Sequence, residues 1–561
     1  MSAAHADDGA RGGDAPTIDA PPPGPWSPLR QPTFRALWLA ILVGNIGTWI
    51  HDIAASWVMA DTTGSPLMVA AVQAATTLPV VLLAIVAGTL SDIVDRRRYL
   101  IAAQLWMFMI ASTLAVLAHV GLMGPWTLVL LTFGLGIGAA MAMPAQQAVT
   151  PELVPRPMLG PAVALGSLSM NIARAIGPAL GGLLVAQAGI AWAFAINAVS
   201  FLGVMLVLVR WRRPADRPSL PPESFGVALR AGLRYARQAG ILRAVLVKAA
   251  AFFVFASAMT ALLPIVVRQD LHASAGTYGL LLGCVGLGAV AGAILLPRLR
   301  RRIDGDRMIF LASLVYAGCI AGLALIRDVR ALYPLAMING FAWIAVLSSL
   351  QIAAQTSVPA WVRARALSLY IVVFSAGMAA GSLGWGALAQ WSSTRHALLA
   401  AALGTVLSAV FGLRFRLAGA AQVDAMPSGH WPQPIVADDI DGERGPVLVT
   451  IEYRVPPGNR AAFLHAMQPL GRSRRRDGAV AWGVVEDTAE PGLHLEYFID
   501  SSWLEHLRQH ERVTGDERRL QEAILALLEP GTTPRIRHFV GGSPDQTSIP
   551  PMPPPDGRAL R

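Results

Sequence analysis

The chain is patterned as a series of apolar runs of about 20 residues separated by short polar turns. A helix needs about 20 apolar residues to cross the hydrocarbon core of a bilayer, so each run is long enough to span a membrane. We count roughly twelve such runs. Their predicted bounds are 34–59, 67–90, 99–119, 127–148, 162–187, 190–210, 244–267, 277–297, 307–326, 331–353, 366–390 and 396–415. The pattern predicts an all-α membrane region that makes up most of the chain.

Basic residues are concentrated in every second turn. The turns that follow odd-numbered runs carry few of them, with the exceptions of Arg268, Arg327, Arg330 and Arg395. The turns that follow even-numbered runs contain Arg96, Arg97, Arg98, Arg156, Arg210, Arg212, Arg213, Arg217, Arg230, Arg234, Arg237, Arg243, Arg298, Arg300, Arg301, Arg302, Arg307, Arg363 and Arg365. Cytoplasmic loops of membrane proteins are enriched in Lys and Arg. The pattern therefore predicts that both termini are cytoplasmic.

A long basic connection at 211–243 divides the runs into six and six, which predicts two helical halves at 31–210 and 244–417. Within this connection, residues 224–239 have the pattern of an amphipathic surface helix. A weak repeat supports the division, because the segment that follows the fourth run resembles the segment that follows the tenth. These segments are Pro151–Arg156 and Ser357–Arg363. Two six-helix halves of this kind are typical of a transporter.

Beyond the last apolar run the period changes. A linker rich in Pro, Gly and Asp is predicted at 418–445, and a small α+β domain at 446–541. The alternation predicts strands at 447–455, 479–486, 493–499 and 535–540, with helices at 457–475 and 502–528. The order strand, helix, strand, strand, helix, strand predicts a ferredoxin-like fold. Residues 1–30 and 542–561 have the composition of disordered segments.

Composition narrows the function. A hydrophobic content of 54% with only 14% charged residues excludes a set of ordinary soluble domains and makes the lipid bilayer a partner. The net charge of +10 comes from arginines beside apolar runs rather than from a surface for nucleic acid. Cys284 and Cys319 both lie in apolar runs, so no disulfide, metal site or cofactor is expected. A phosphate-binding glycine loop is missing from the sequence, which disfavours an ATP-driven pump.

A charged turn between the second and third runs contains Gly88, Asp92, Asp95 and the arginines at 96–98. Gly88 would allow close approach of neighbouring backbones, and the charges can pair with each other or with adjacent helix ends. The turn resembles the signature of the major facilitator superfamily at this place, which implies a gating role. Ile93 and Asp95 depart from that signature, since many members have arginine and glycine there.

The fifth run contains the sequence Gly177-Pro178-Ala179-Leu180-Gly181-Gly182. Proline removes a backbone hydrogen bond, and the glycines flatten one face for close packing against a neighbouring helix. The sequence resembles the motif that drug and proton antiporters of the superfamily carry in their fifth helix, which implies export rather than import.

Further stretches between residues 28 and 418 are similar to the bacterial subgroup that includes the enterobactin exporter. They are Gly47–Trp49, Ser56–Trp57, Gly64–Pro66, Pro144–Ala148, Asn171–Arg174 and Asn197–Phe201. This resemblance implies a siderophore or drug-class substrate, which the sequence does not narrow further.

Ionisable residues inside the runs are candidates for coupling or substrate binding, because a charge in the membrane is costly unless it faces water or a partner. Asp52 is a candidate proton carrier, the alternative being a solvated position at the mouth of the protein. Arg174, with Asn171 beside it in the fifth run, is a candidate buried structural or substrate-facing cation. Lys248 is expected to extend to the cytoplasmic surface.

The predicted α+β domain resembles the dimeric domains of antibiotic-biosynthesis monooxygenases. This implies a homodimer whose open sheet face includes Tyr453, Trp482 and Tyr497. His506 and His510 are spaced four apart on a predicted helix, but they lack the glutamate of a zinc-protease motif and are expected on the surface.

The sequence as a whole predicts a secondary exporter of the bacterial inner membrane, not an enzyme, that moves a small amphipathic molecule outward by proton antiport. The alternatives are a membrane-tethered enzyme or a sensor in which the C-terminal domain carries the chemistry or binds the ligand.

Overall fold

A computed structural model describes residues 24–211, 239–417, 431 and 440–541. Residues 1–23 of the segment predicted as disordered at 1–30, all of the segment predicted at 542–561, and nearly all of the surface helix predicted at 224–239 lie outside these residues. Within the remainder of the first segment, Ser27–Arg30 form one turn of 3-10 helix.

Twelve helices in the described part of the chain are long and apolar enough to cross a membrane. They are α1 (Pro32–Thr63), α2 (Pro66–Ile93), α3 (Arg96–His119), α4 (Pro125–Leu153), α5 (Leu159–Ala188), α6 (Ile190–Arg210), α7 (Gly240–Ile265), α8 (Ala275–Leu299), α9 (Gly305–Leu325), α10 (Val329–Thr356), α11 (Ala360–Trp391) and α12 (Thr394–Gly412). Each corresponds to one predicted apolar run, and the runs at 244–267, 307–326 and 396–415 extend one to three residues past the end of their helix. The predicted set of twelve spans is confirmed.

Local sequence sets where these helices begin and end. Gly64 adopts a left-handed conformation, φ 60°, that ends α1. The hydroxyl of Ser65 then accepts a hydrogen bond from the backbone N–H of Met68 and starts α2 after a two-residue turn. Asp95 starts α3 in the same way through the N–H of Arg98. Short turns of this kind force consecutive helices to run antiparallel.

The helices form two bundles, α1–α6 and α7–α12, that meet along two pairs. Helix α5 packs along α8, and α2 packs along α11. Each bundle has its own apolar core, one centred on residues such as Phe194 and the other on residues such as Phe253. We call the end of the molecule with the α1–α2, α7–α8 and α11–α12 turns the short-loop end, and the end with the α2–α3 turn the basic end.

The two bundles are in close contact at the short-loop end. A Cβ atom added to Gly182 of α5 would lie 2.6 Å from the carbonyl oxygen of Ala275 and 2.7 Å from the Cα atom of Gly279, both of α8. Towards the middle of the membrane, a Cβ at Gly286 would lie 2.6 Å from the Cα atom of Ala175. Side chains cannot fit between backbones at these distances, which is why small residues line the contact.

The basic end is more open. On the face of α5 that meets α8 further along the helix, Ala164 and Leu168 are exposed. Gly160, near the start of α5, has no described heavy atom within 4 Å of an added Cβ. The same holds for Gly88 at the end of α2, so the close backbone approach expected at that glycine is not present in this conformation. The bundles therefore converge at the short-loop end and separate towards the basic end.

The C-terminal region contains a four-stranded antiparallel sheet in the order β2-β3-β1-β4. Its elements are β1 (Val447–Arg454), α13 (Arg460–Asp477), β2 (Ala481–Glu486), β3 (Leu493–Asp500), α14 (Trp503–Arg512), α15 (Gly515–Leu525) and β4 (Arg535–Val540). The strand order and the position of the helices are those of the ferredoxin-like arrangement. The prediction of one helix over 502–528 is wrong. The chain forms the two helices α14 and α15 there, and Thr514 lies between them in an extended conformation.

One face of this sheet packs against the helices. Val447, Val449, Ile451 and Tyr453 alternate along β1 as the buried positions, and Phe463 of α13 packs over them. The prediction that Tyr453 lies on the open face is therefore wrong.

The prediction that Trp482 lies on the open face is wrong as well, since Trp482 pairs directly with buried Phe498 of β3 and shares its face. Tyr497 lies on the open face, beside the half-buried Leu495 and Ile499.

The contact between α5 and α8 gives a direct test. Gly182→Ala is expected to destabilise the protein by about 1–3 kcal/mol, the usual effect of overpacking. The added methyl group meets backbone atoms on α8 and cannot be accommodated by a change of rotamer. Thermal unfolding of the purified protein should show a lower midpoint.

Gly166→Ala on the same helix is the matched control. Its methyl group enters open space, and alanine stabilises a helix interior by about 0.5–1 kcal/mol relative to glycine. We expect an equal or higher midpoint for this variant. Equal destabilisation of both variants would show that the close contact is not what matters.

Candidate functional site

The glycines of the fifth helix lie where three helices meet. A Cβ at Gly177 would lie 2.6 Å from the Cβ atom of Trp49, and one at Gly181 would lie 3.0 Å from the Cα atom of Ile50. These two residues therefore bring α5 onto α1. Gly182 faces α8 instead, and the carbonyl oxygen of Pro178 lies 2.5 Å from where a Cβ at Gly279 would be. The motif packs α5 against its own bundle and against the other bundle together.

Asp52 lies on α1 close to this junction. One turn further along α1, Ser56 interacts with the hydroxyl of Tyr278 on α8, and Asp52 is near enough to act electrostatically on that tyrosine. Trp57 stacks on the same tyrosine, with ring centroids 6.2 Å apart. None of the described residues forms a hydrogen bond or ion pair with the Asp52 carboxylate. The structure thus brings an unpaired carboxylate to the interface between the two bundles.

Asp52 belongs to a polar stripe on α1. Asn45, Thr48, Asp52 and Ser56 recur at spacings of three or four and share one helix face. His51 points elsewhere and is buried against Phe194 of α6, with ring centroids 5.1 Å apart. Asp52 is recognisable from the sequence, but its neighbour Tyr278 is not, since nothing local in the sequence relates α1 to α8.

Arg174 and Asn171 are half-buried on α5, in the segment where the contact with α8 begins. A Cβ at Gly286 would lie 2.6 Å from the carbonyl oxygen of Arg174. The Arg174 guanidinium forms no ion pair with Asp52 or with any other described carboxylate. Both ionisable groups are therefore available to water or to a ligand between the bundles.

Lys248 is placed differently from the sequence expectation. Its side chain is 5% exposed and forms an ion pair with Asp306 at the start of α9. The other oxygen of Asp306 accepts a hydrogen bond of 2.8 Å from the backbone N–H of Leu417, just beyond α12. Lys248 does not extend to the surface, and its role is to join α7 to α9 and to the chain that leaves α12.

Polar contacts hold the two bundles together at the short-loop end. Arg268 pairs with Asp61 at 2.6 Å, and the amide of Gln269 donates to the carbonyl oxygen of Gly64 at 2.7 Å. Ser65 donates to the side chain of Gln390 at 2.8 Å. Arg268 was an exception to the charge pattern of the turns, and the structure shows its partner in the other bundle.

The arginines of the α2–α3 turn contact the ends of other helices in the first bundle. Arg96 pairs with Glu152 near the end of α4 at 2.8 Å. Arg97 donates to the carbonyl oxygens of Leu208 and Val209 at 2.7 and 2.6 Å. A cation at these carbonyls caps the negative end of α6. The side chain of Asp92 lies outside the described side chains.

The C-terminal region contains a cavity of about 680 Å³ between the sheet and the helices. At its inner wall Arg474 pairs with Glu496 at 3.2 Å, and both side chains are almost fully buried. Tyr453 and Trp482 donate to the same carboxylate at 2.8 and 2.9 Å. Burial, followed by the charge of Glu496, holds the pKa of Tyr453 well above its usual range.

A tryptophan from the segment predicted as linker covers this cavity. Trp431 lies 4.5 Å from the guanidinium carbon of Arg474, which stacks on its ring. Its indole N–H donates to Gln521 of α15 at 3.3 Å.

Three histidines line the same cavity: His506, His510 and His538. The prediction of surface histidines is wrong for His506, whose side chain is fully buried, and His510 is half-buried. Burial, then the neighbouring His506, lowers the pKa of His538 to about 4. His538 is not among the residues predicted from the sequence. Its place in the alternation of β4 was a signal, because alternate residues of a strand share one face.

Comparison with known proteins fits this arrangement of twelve helices followed by a small sheet domain. The family model of transmembrane secretion effectors matches residues 23–546. The chain belongs to the transmembrane secretion effector family. The match includes both helical bundles and the C-terminal domain, and it makes this protein a transporter of the major facilitator type in the inner membrane.

Three relatives illustrate the family. The enterobactin exporter EntS of Salmonella typhimurium is 27% identical over 57% of this chain and 76% of its own length. The staphyloferrin A transporter of Staphylococcus aureus is 24% identical over 49% of this chain and 70% of its own length. The MFS-type transporter YfiS of Bacillus subtilis is 25% identical over 66% of this chain and 91% of its own length.

Solved structures support the fold. A POT family transporter in complex with 5-aminolevulinic acid matches with a TM-score of 0.58 at 11% identity, over 70% of this chain and 98% of that one. A bacterial homologue of the human lysosomal transporter Spinster matches with a TM-score of 0.56 at 15% identity, over the same shares. The predicted major facilitator fold is confirmed.

Proposed function

We propose that this transporter exports a small amphipathic molecule of the siderophore or drug class, in exchange for protons, by alternating access. Similarity to the enterobactin exporter EntS and to the staphyloferrin A transporter supports a substrate of the siderophore class. The resemblance of the Gly177–Gly182 segment to antiporters supports outward movement. The enrichment of arginine at the basic end supports a cytoplasmic location for that end and for both termini.

The observation that carries the proposal is the combination of a closed short-loop end and an unpaired carboxylate at the bundle interface. The Asp61–Arg268 pair and the glycine contacts between α5 and α8 close one end, while the first half of α5 stands apart at the other. In this conformation a substrate has access from the basic end. The bundles must separate at the short-loop end for release, so the polar contacts there form and break once per cycle.

Asp52 links this cycle to protons. An ionised carboxylate without a partner is costly in a closed, dry interface and acceptable when the interface opens to water. Protonated Asp52 therefore permits the bundles to close at the short-loop end, and loss of the proton towards the basic end accompanies substrate loading. In this exchange protons move from the short-loop side to the basic side while substrate moves the other way.

Asp52→Asn is expected to abolish uphill export while leaving the fold and substrate binding intact, because asparagine mimics the protonated acid and carries no proton. The measurement is uptake of catecholate and carboxylate siderophores, and of a drug panel, into inside-out membrane vesicles with an acidic lumen. The wild type should accumulate a substrate from the panel, and a protonophore should collapse that accumulation.

Asp52→Glu is the conservative control and should retain part of the gradient-driven uptake. Protonophore-sensitive accumulation by Asp52→Asn at the wild-type level would exclude Asp52 as the coupling residue. A wild type that accumulates no compound of the panel would exclude the proposed substrate class.

We also propose that the α2–α3 turn, from Gly88 to Arg98, controls the exchange between the two conformations. What supports this is the set of contacts from Arg96 and Arg97 to the ends of α4 and α6, which fix the turn within one bundle. The space beside Gly88 is open here, so a second conformation can bring another backbone against it.

Asp92→Asn is expected to lower the turnover number with normal membrane insertion, since the loss of one charge changes the balance between two states without unfolding either. Asp328→Asn, which alters an aspartate that starts α10, is the control at the opposite end. Initial uptake rates in the same vesicles, normalised to protein amount, test the idea. Wild-type rates for Asp92→Asn would contradict it.

The C-terminal domain, placed at 446–541, is proposed to join two chains through its open sheet face. This face includes Tyr497, Leu495 and Ile499, together with Val485 at 49% and Phe539 at 48% exposure. A row of half-exposed apolar side chains on a sheet is typical of a protein contact surface.

The full chain in detergent should therefore be a dimer by light scattering, and a chain ending at Arg416 should be a monomer. Val485→Glu should weaken the dimer, because it buries a charge without a partner. Leu464→Glu, an exposed position on α13 away from the sheet face, is the matched control. A monomeric wild type, or a Val485→Glu variant that dimerises like the wild type, would contradict the proposal.

A further inference from the structure

The three histidines of the C-terminal cavity come from two elements that meet at one edge of the domain. His506 and His510 are one turn apart on α14 and share a face. His538 lies on β4, directly opposite buried Val449 of β1, and therefore points to the helical side of the sheet. The fold thus brings a residue from the end of the chain beside two helix residues about 30 positions earlier.

Their spacing suits a metal ion. The Nε2 atoms of His506 and His510 are 3.2 Å apart. Zinc binds imidazole nitrogen at about 2.0–2.1 Å with tetrahedral angles, which places two ligand nitrogens about 3.3 Å apart. One ligand nitrogen from each of the three histidines lies within 4.8 Å of the others. The His538 ring is half-buried.

His506 is already oriented as metal ligands usually are. Its Nδ1 atom lies 2.9 Å from Oδ2 of Asp500, with both side chains fully buried. An N–H on Nδ1 that donates to this carboxylate leaves Nε2 with a free lone pair, and that is the atom that faces His510. A carboxylate that holds the far nitrogen of a ligating histidine is the common second partner in zinc sites.

The charge balance also points to a cation. Asp500 is buried, and its second oxygen, Oδ1, has no hydrogen-bond partner among the described residues. A buried carboxylate whose described partner is a histidine is poorly compensated, and a divalent ion on the other side of that histidine supplies the missing positive charge. The ring of Trp503 packs against His506 and His538, with centroids 5.4 and 6.4 Å away, and keeps the rear of the cluster dry.

We propose that His506, His510 and His538 bind one divalent transition-metal ion of the zinc class, with Asp500 as the residue that positions His506. Three neutral imidazoles suit zinc, cobalt, nickel or copper rather than magnesium or calcium. All three rings line the cavity of about 680 Å³, so a fourth coordination position is open to a ligand there. This site is independent of the transport proposal, because it lies wholly in the C-terminal domain.

Metal content of the full chain is the primary test. The protein is purified in detergent through a tag without histidine, stripped with a chelator, loaded with Zn²⁺ and desalted. About one zinc per chain should remain on the wild type, as expected for a site with three imidazole ligands. His510→Gln and His538→Gln should each lose this zinc while keeping the wild-type gel-filtration profile.

His465→Gln is the matched control, because His465 is an exposed histidine on α13 of the same domain. It should retain zinc like the wild type. Asp500→Asn should bind zinc with about 10- to 100-fold lower affinity, which is the usual effect of losing such a second partner.

Cobalt gives a second readout that does not depend on any variant. Co²⁺ added to the stripped wild type should give the visible absorption of a tetrahedral site, and azide should change it by entering the open position. A wild type that retains no zinc and gives no such absorption would overturn the proposal. Zinc retention by His510→Gln and His538→Gln at the wild-type level would overturn it as well.

Discussion

Direct backbone contact between α5 and α8 is the constraint on which the transporter region depends. Lipid tails are as apolar as leucine, so helices in a bilayer gain little from hiding hydrophobic surface and associate through close van der Waals packing. Gly182, Gly279 and Gly286 allow that packing across the two bundles. Once α5 is fixed there, Gly177 and Gly181 fix α1 against it, and α1 carries Asp52 to the interface. A carboxylate is thus positioned by residues that have no side chain.

The membrane region contains charges of two kinds. Lys248 and Asp306 neutralise each other, and the second oxygen of Asp306 is used by the backbone of Leu417. Such a set is internally satisfied and stabilises one arrangement of its helices. Asp52 and Arg174 have no ionic partner in the described residues, although they lie inside spanning helices. Charges of the first kind hold a bundle together, whereas charges of the second kind form no ion pair between helices in the described part of the chain.

Much of the fold follows from local sequence. The spans of α1 to α12 follow from the length of apolar runs, and the strands of the C-terminal domain follow from their alternation, because both patterns depend on residues close in the chain. The errors arise where a distant partner decides. Lys248 is buried because it forms an ion pair with Asp306. Tyr453 lies on the helical face of the sheet, where its hydroxyl donates to Glu496. His506 is buried because its ring is paired with Asp500. The break between α14 and α15 was not predicted, although it is local, because both helices have the same polar composition.

Trp431 connects the cavity of the C-terminal domain to the chain that leads into it. This residue follows the last membrane helix, yet its ring lies against Arg474 and His510 as part of the cavity lining. Ile440 also packs on the domain core, next to the strand that begins the domain. A molecule bound at the position of the Trp431 ring has to displace that ring, so occupation of this part of the cavity and attachment of Trp431 to the domain exclude each other.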